Sequence, residues 1–223
     1  MDWFPFWLSL RVALTATVFA TVLGVGLAFI LAKGRFFGRG LIEAIASVPI
    51  VLPPTVLGYY LLVSIGVRSP IGRLWESMFG HALVFTPTAA VVAATVSSAP
   101  FVLRSARAAI EAIDPRFEQA ARTMGLPEWR VATQVTLPLA RRGVVGGIAL
   151  GFARALGDFG VTVMVAGNIP GRTQTLPVAV YDAVQAGDDH RASIMAAVLG
   201  GAAVAILVGV SWLGRAPYLR NSQ

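Results

Sequence analysis

The sequence predicts an all-α membrane protein with five transmembrane helices. Three observations carry that expectation. Hydrophobic residues make up 56% of the 223-residue chain and charged residues 13%, with a mean hydropathy of +0.72, outside the usual range of soluble globular domains. Five apolar stretches each exceed the roughly 20 helical residues needed to cross about 30 Å of hydrocarbon. The basic residues crowd beside those stretches unevenly between the two sides, as they do in chains oriented by a bilayer.

The first stretch, about Phe6–Ala32, follows Asp2 rather than a basic segment and is too long for the core of a secretory signal. A retained span is expected, with Trp3 and Trp7 as interfacial anchors. Ala16, Ala20, Gly24, Ala28 and Ala32 recur every fourth residue along it, a shallow groove on one face where a second helix can approach closely. Arg11 lies near its outer end, where its head can reach the interface.

The second stretch, about Leu41–Val67, is interrupted by Pro49, Pro53 and Pro54 in VPIVLPPTVLG. Each proline removes an amide donor and clashes with the preceding turn. Carbonyls freed at that depth must be buried in protein or face water. Two readings are open: a broken helix lining a translocation path, or an ordinary proline kink. The third stretch, about Thr86–Ile110, leads into a polar insert from Pro115 to Pro138.

The fourth stretch, about Thr136–Ala166, has small residues at Gly143, Gly147, Gly151 and Ala155, and carries Arg154 and Asp158 one turn apart in FARALGDFG. Ionisable side chains at such depth are costly and face a cavity or a partner, and this spacing lets the two pair along one face. They either line or gate a path, with Arg154 attracting an anion, or form a self-neutralising structural pair. The fifth stretch, about Ala192–Leu213, repeats the small-residue pattern at Ser193, Ala197, Gly201, Ala205 and Gly209. Tight bundling is the expected use of the stripes on the first and fifth spans, with contact to a second copy of the chain as the alternative for some of these faces. Between the fourth and fifth, Asn168–Arg191 contains a short helix around Pro177–Gln185, too brief to span and expected at the outer mouth. Arg172 in that segment either helps deliver an oxyanion or is a solvated loop charge.

Charge sets the expected orientation. Lys33, Arg35, Arg39, Arg104, Arg107, Arg116, Arg122, Arg130, Arg141, Arg142, Arg215 and Arg220 share one side, against Arg68, Arg73, Arg172 and Arg191 on the other. Twelve against four places the N-terminus outside, the C-terminus and its short tail in the cytoplasm, and the Pro115–Pro138 insert in the cytoplasm. The net charge of +7 is thereby explained without a nucleic-acid partner.

Several chemistries are excluded by inventory. A phosphate-cradling loop needs Gly-Lys-Ser/Thr, and the only lysine, Lys33, follows Ala32. There is no cysteine, and His81 and His190 stand alone in expected outer loops, so neither a metal site nor a bound cofactor is expected. No buried nucleophile and base are paired as an embedded hydrolase would need. The chain reads as a transport component rather than an enzyme.

The insert, PRFEQAARTMGLPEWRVATQVTLP, is the most specific feature. Asp114 is a good N-cap for a helix opened by Pro115, with Phe117, Ala120, Ala121 and Met124 expected on one apolar side. Gly125 should end it, and Pro127 should open a second short helix, Glu128–Val135, before Leu137 and Pro138 lead into the next span. The alanine-rich face suits a protein groove better than acyl chains.

These residues resemble the Glu-Ala-Ala loop of type 1 ABC importer permeases. That pattern runs Glu-Ala-Ala, three residues, Gly, nine residues, Ile-x-Leu-Pro. Here Gln119-Ala120-Ala121, Gly125 and Val135-Thr136-Leu137-Pro138 keep every spacing, with Gln119 in place of the glutamate and Glu118 beside it. The runs LPPTVLGYYLLVSIG, DPRFEQAARTMG and FARALGDFGVTVMVAGNIPGRTQTLPVAVY extend the resemblance to the molybdate-permease family. The resemblance implies a type 1 permease fold over residues 6–214 in a bacterial inner membrane. It also implies a homodimer, two cytoplasmic ABC ATPase subunits that use the ATP, and an extracytoplasmic molybdate-binding protein. Coupling to the ATPase would fall to Glu118, Gln119, Ala120, Ala121, Gly125, Leu137 and Pro138. Pro49, Pro53, Pro54, Arg154 and Asp158 are the candidates for the path or its gate. The sister family of sulfate and thiosulfate permeases is the nearest alternative, its chains being longer with an added N-terminal span. A self-contained secondary anion transporter is more remote, because no inverted repeat is evident. Tungstate, a tetrahedral dianion like molybdate, is not separable from it by these residues.

Overall fold

The computed structural model describes residues 2–34 and 36–214, with side chains through residue 209. Arg35, between the first two helices, and the tail 215–223 with Arg215 and Arg220, all counted above toward the inner side, lie outside the described residues. In chain order the helices are α1 (Phe4–Lys33), α2 (Arg39–Val51), α3 (Pro54–Ile65), α4 (Pro70–Phe79), α5 (Pro87–Glu111), α6 (Pro115–Thr123), α7 (Glu128–Val131), α8 (Leu137–Leu156), α9 (Gly160–Ala166), α10 (Leu176–Gln185) and α11 (Asp189–Gly214), with a π-helical turn at Ala132–Thr136 between α7 and α8. Among the described residues, four helical runs are long and apolar enough to cross a membrane, and the bent pair α2–α3 makes up to five.

Helix α5 is the axis of the bundle, packed between α1 and α8. Its start is fixed locally: the Thr86 hydroxyl accepts from the Ala89 amide, and Pro87 occupies the first turn. Small side chains let it be surrounded. Ala89, Ala90, Ala93, Ala94, Ser97 and Ser98 have no residual exposure, which suits a setting where close approach rather than water exclusion holds helices together. Val102 fills the tightest place. A Cβ added at Gly24 of α1 would lie 2.9 Å from the Val102 Cβ, and one at Gly151 of α8 2.7 Å from its Cγ2. One valine is thus lodged between glycines from two neighbouring helices. Below it the Ser105 hydroxyl donates to the Gly143 carbonyl at 2.8 Å, satisfying a polar group that hydrocarbon could not.

The small-residue stripes divide in use. Ala16, Ala20, Gly24 and Ala28 of α1 are buried, as are Gly147, Gly151 and Ala155 of α8, and both stripes meet α5. On α11 the expectation of tight bundling fails: Ser193, Ala197, Gly201, Ala205 and Gly209 are exposed, and a Cβ at Gly201 or Gly209 would meet nothing within 4 Å. Helix α11 instead uses Met195, Val198 and Leu199 against α10 and the bundle. A four-residue repeat of small side chains marks a smooth helix face, and which face is covered depends on where the larger residues find a partner.

One open reading is decided and two expectations are corrected. Of the two readings of the second span, the broken helix holds over the kink: α2 and α3 meet at 117°, because Pro53 and Pro54 together withdraw two amides and force extended backbone at Leu52 and Pro53. The fourth span is not continuous to Ala166: α8 ends at Leu156, and α9 resumes only at Gly160. The second helix of the insert does not stop at Val135, because helix runs from Glu128 through Leu156. Pro138 sits in the first turn of α8, and the π turn Ala132–Thr136 carries the register across it, as such bulges do inside longer helices. Helix α4 was not anticipated. It is announced by Ser69-Pro70, with the Ser69 hydroxyl accepting from the Gly72 amide, and closed by Gly80 at φ +73°.

The glycine contacts predict unequal tolerance at adjacent positions. A Cβ at Gly147 would sit 2.8 Å from the Ser105 Cβ and 3.3 Å from the Val102 carbonyl, whereas one at Gly146 meets nothing within 4 Å. Gly147→Leu is expected to lower the unfolding temperature in detergent, an overpacking cost of about 1–3 kcal/mol. Gly146→Leu is expected to leave it within a degree or two.

Candidate functional site

The insert forms an elbow at the end of the bundle where α1 finishes. The Asp114 carboxylate accepts from the Arg116 amide at 2.9 Å and starts α6. The helix closes at Gly125, whose φ of +81° is left-handed with open space around it, so glycine is required there by backbone and not by crowding. Leu126 N–H bonds the Ala121 carbonyl and Gly125 N–H the Arg122 carbonyl, turning the chain toward α7. Arg122 then grips Glu128 with two bonds, Nε to Oε1 at 2.6 Å and Nη2 to Oε2 at 3.1 Å. A fork of this kind fixes an angle as well as a distance, and here the angle is that between α6 and α7.

Glu118 is the buried anchor. Only 4% exposed, it accepts from the Thr136 hydroxyl at 2.7 Å, pairs with Lys33 Nζ at 2.8 Å and lies 3.7 Å from Arg122. Burial pushes its carboxyl upward, but the hydrogen bonds from Lys33 and Thr136 and the charges of Lys33 and Arg122 outweigh it and hold the group below the ordinary carboxylate range. The elbow is thereby tied to the last residue of α1 and to the π turn leading into α8. Ala121 is buried beside Glu118, while Gln119, Ala120 and Gly125 face outward. Phe117, Met124 and Trp129 are exposed at 57%, 73% and 63%. The expected single apolar side is therefore divided: Ala121 packs inward, and an outer patch at the tip remains open to a partner. Leu137 is half-buried and Pro138 exposed at the root of α8.

Next to the elbow, a charge cluster that the sequence patterning did not single out joins α2 to α5. Arg107 contacts Glu43 at 2.5 Å and Glu111 at 2.8 Å, and Arg39 contacts Glu111 at 3.1 Å. The signal was present as Glu43 opposite basic residues counted only for topology. Helix α2 has no buried residue of its own, so these pairs are a principal tie at its foot.

All but one of the other candidate residues meet farther along the bundle. Pro54 opens α3, and a Cβ added at Gly160, the first residue of α9, would lie 2.7 Å from the Pro54 Cβ. Gly58 faces Met164 in the same way, 2.7 Å from its Cβ. The two helix breaks, more than 100 residues apart in sequence, are therefore one junction, which glycines allow to close. Asp158, 2% exposed, stabilises the restart: its Oδ2 accepts from the Thr162 amide at 3.0 Å and hydroxyl at 2.7 Å, while Oδ1 lies 2.8 Å from Arg154 Nη1. The ion pair thus bridges the end of α8 and the start of α9. Pro53 and Pro54 are exposed beside it. Pro49 is elsewhere, lining a small apolar cavity of about 200 Å³ with Gly24, Thr95 and Pro100. Among the described residues no group of three His, Asp or Glu side chains could hold a metal.

Residues 20–217 match the protein family described as binding-protein-dependent transport system inner membrane component. A curated relative, the molybdenum transport system permease protein ModB of Escherichia coli (strain K12), is 40% identical over 96% of this chain and 94% of its own length. The sulfate transport system permease protein CysT of the same organism is 31% identical, over 96% of this chain and 81% of its own. A solved structure of the MetNI methionine ABC transporter in an inward-facing conformation superposes with a TM-score of 0.73 at 20% identity, covering 95% of this chain and 93% of that one. The last likeness concerns the fold alone.

Two expectations follow from the geometry. Glu118→Gln keeps an acceptor for Thr136 but removes the charge facing Lys33, so the elbow is expected to open more often, with faster amide hydrogen exchange over residues 116–124. In the wild type the same loosening should develop only as pH falls through the lowered pKa of Glu118, because a depressed carboxylate contributes stability above its unfolded value of about 4.3 and loses it on protonation. Arg154→Ala strands a buried carboxylate and is expected to cost more thermal stability than Arg154→Ala combined with Asp158→Asn, by on the order of 1–3 kcal/mol in a double-mutant cycle.

Proposed function

The chain belongs to the family of binding-protein-dependent transport system inner membrane components, and from that premise we propose that it is the membrane subunit of an ATP-driven importer of molybdate. The observation that carries the substrate is the relation to the molybdenum permease, 40% identical along almost the full length of both chains. The sulfate permease is more distant and has a fifth of its length unmatched. Tungstate fits the same reading, since a rigid extracytoplasmic binding protein, rather than this chain, would be expected to select among tetrahedral dianions.

In this proposal two copies of the chain form the path, the elbow lies in the cytoplasm, and the N-terminus faces outward. Two ATPase subunits seat on the elbows through Gln119, Ala120, Gly125 and the apolar tip, supplying the nucleotide chemistry for which this sequence has no phosphate loop. The rigidity of the elbow supports a lever role. Glu118 joins it to α1 and Thr136 joins it to α8, so a displacement at the tip would move both helices together as one body. The junction of α3 with α9 is the place for the gate. There Arg154 offers an anion positive charge, balanced at rest by Asp158, and two broken helices can change angle without unfolding a continuous span.

Binding-protein-dependent uptake of molybdate, with tungstate and sulfate as competitors, tests the substrate. Tungstate is expected to compete at similar concentration and sulfate only at large excess. Effective competition by equimolar sulfate would contradict the assignment. Gly125→Asp places a charged side chain on the open turn, and is expected to abolish co-purification of the ATPase while the permease remains in the membrane. Full substrate-stimulated ATP hydrolysis by the Gly125→Asp complex would overturn the docking role.

A further inference from the structure

Arg11 and Arg172, separated by 161 positions in the chain, line the same groove at the end of the bundle opposite the elbow. The cavity has a volume of about 610 Å³ between α1, the start of α5 and the loop before α10. Its walls are apolar, with Leu8, Val12, Phe19 and Val91 among them, and no carboxylate lines it. Neither guanidinium has an ion-pair partner among the described residues. Both side chains are exposed, and the groove runs two helical turns along α1 from Arg11 to Phe19. At about 1.5 Å per residue, that is about 12 Å toward the middle of the bundle.

We propose that this groove binds an acidic phospholipid of the leaflet at that end, with its phosphate between Arg11 and Arg172 and an acyl chain along Val12, Phe19 and Val91. The chemistry selects an amphiphile over a bare dianion. A free oxyanion needs donors on several sides to replace its hydration, and beyond the two guanidinium groups and the Thr15 and Thr88 hydroxyls the groove offers it only hydrocarbon, whereas a lipid brings its own hydrocarbon. Guanidinium groups suit phosphate because their planar donors match its oxygens. Depth agrees: Trp3 and Trp7, 48% and 58% exposed at the start of α1, mark the interfacial level, and Arg11 lies one to two turns inward, within reach of the headgroup region. The Ser9 hydroxyl, accepting from the Leu176 amide at 2.7 Å, fixes the loop that carries Arg172 against α1. Occupancy would therefore brace the mouth of the bundle. The proposal does not depend on the identity of the transported ion.

The test is native mass spectrometry and thermal unfolding of the full-length chain in mixed phosphatidylglycerol and phosphatidylcholine. The wild type is expected to retain phosphatidylglycerol over phosphatidylcholine by about tenfold, a preference one charge-assisted contact can supply. Arg11→Gln with Arg172→Gln is expected to bring that ratio near one, while unfolding in phosphatidylcholine alone stays unchanged. Arg172→Gln by itself, on a loop, should reduce the ratio severalfold. Equal retention of the two lipids by the wild type, or an undiminished preference in the double variant, would overturn the site. Displacement of the lipid by millimolar inorganic phosphate or molybdate would show a free-anion site instead. Efficient disulfide-linked dimers of a Thr15→Cys chain, which has no other cysteine, would show that a second copy covers the groove. Either result also overturns the lipid assignment.

Discussion

The carboxylate of Glu118 is the point on which the architecture turns. It is buried where an unpaired charge would be costly, and it is paid for by Lys33 from α1, Thr136 from the π turn and Arg122 from its own helix. Each of those partners belongs to a different piece of the chain. Their convergence makes the elbow part of the bundle rather than a loop beneath it. With helix continuous from Glu128 to Leu156, about 43 Å at 1.5 Å per residue, the α7 arm of the elbow and the deep part of α8 are one element.

At the far end of that element, the helix stops at Leu156 and restarts at Gly160 against Pro54. Breaking a helix within a membrane exposes backbone groups that lipid cannot satisfy. Asp158 meets part of that need by accepting from Thr162, and Arg154 offsets the charge Asp158 brings. Structural and functional readings of the pair are therefore not opposed. The pair neutralises itself, and it does so across the break between α8 and α9. Close packing elsewhere, with Val102 held between Gly24 and Gly151, leaves α1, α5 and α8 little freedom to rearrange separately.

Much of this was legible in the sequence, and the remainder was hidden for physical reasons. Apolar length marked the membrane segments, and Asp114, Pro115 and Gly125 marked the start and end of α6. Prolines marked a break but not its angle, because a kink and a 117° turn need the same residues and differ in what packs on either side. Pro138 suggested a boundary, yet proline is tolerated in a first helical turn, and the π turn carried the helix through. The stripe on α11 matched those on α1 and α8 and yet lies exposed, since periodicity specifies a face and not its neighbour. Lys33 was counted for topology alone. Its role needed the fold, because its partner Glu118 lies 85 positions along the chain. Arg11 and Arg172 were likewise unrelated until the bundle placed them on one groove.

The most direct test of the central claim is the accessibility of the elbow in intact cells. The chain has no cysteine, so Ala120→Cys provides a single reporter on the exposed side of α6. A membrane-impermeant maleimide should fail to label it from outside, should label it after the membrane is opened, and should be blocked once the ATPase subunit is bound. Labelling from outside in sealed cells, or equal labelling with and without the ATPase, would contradict the account.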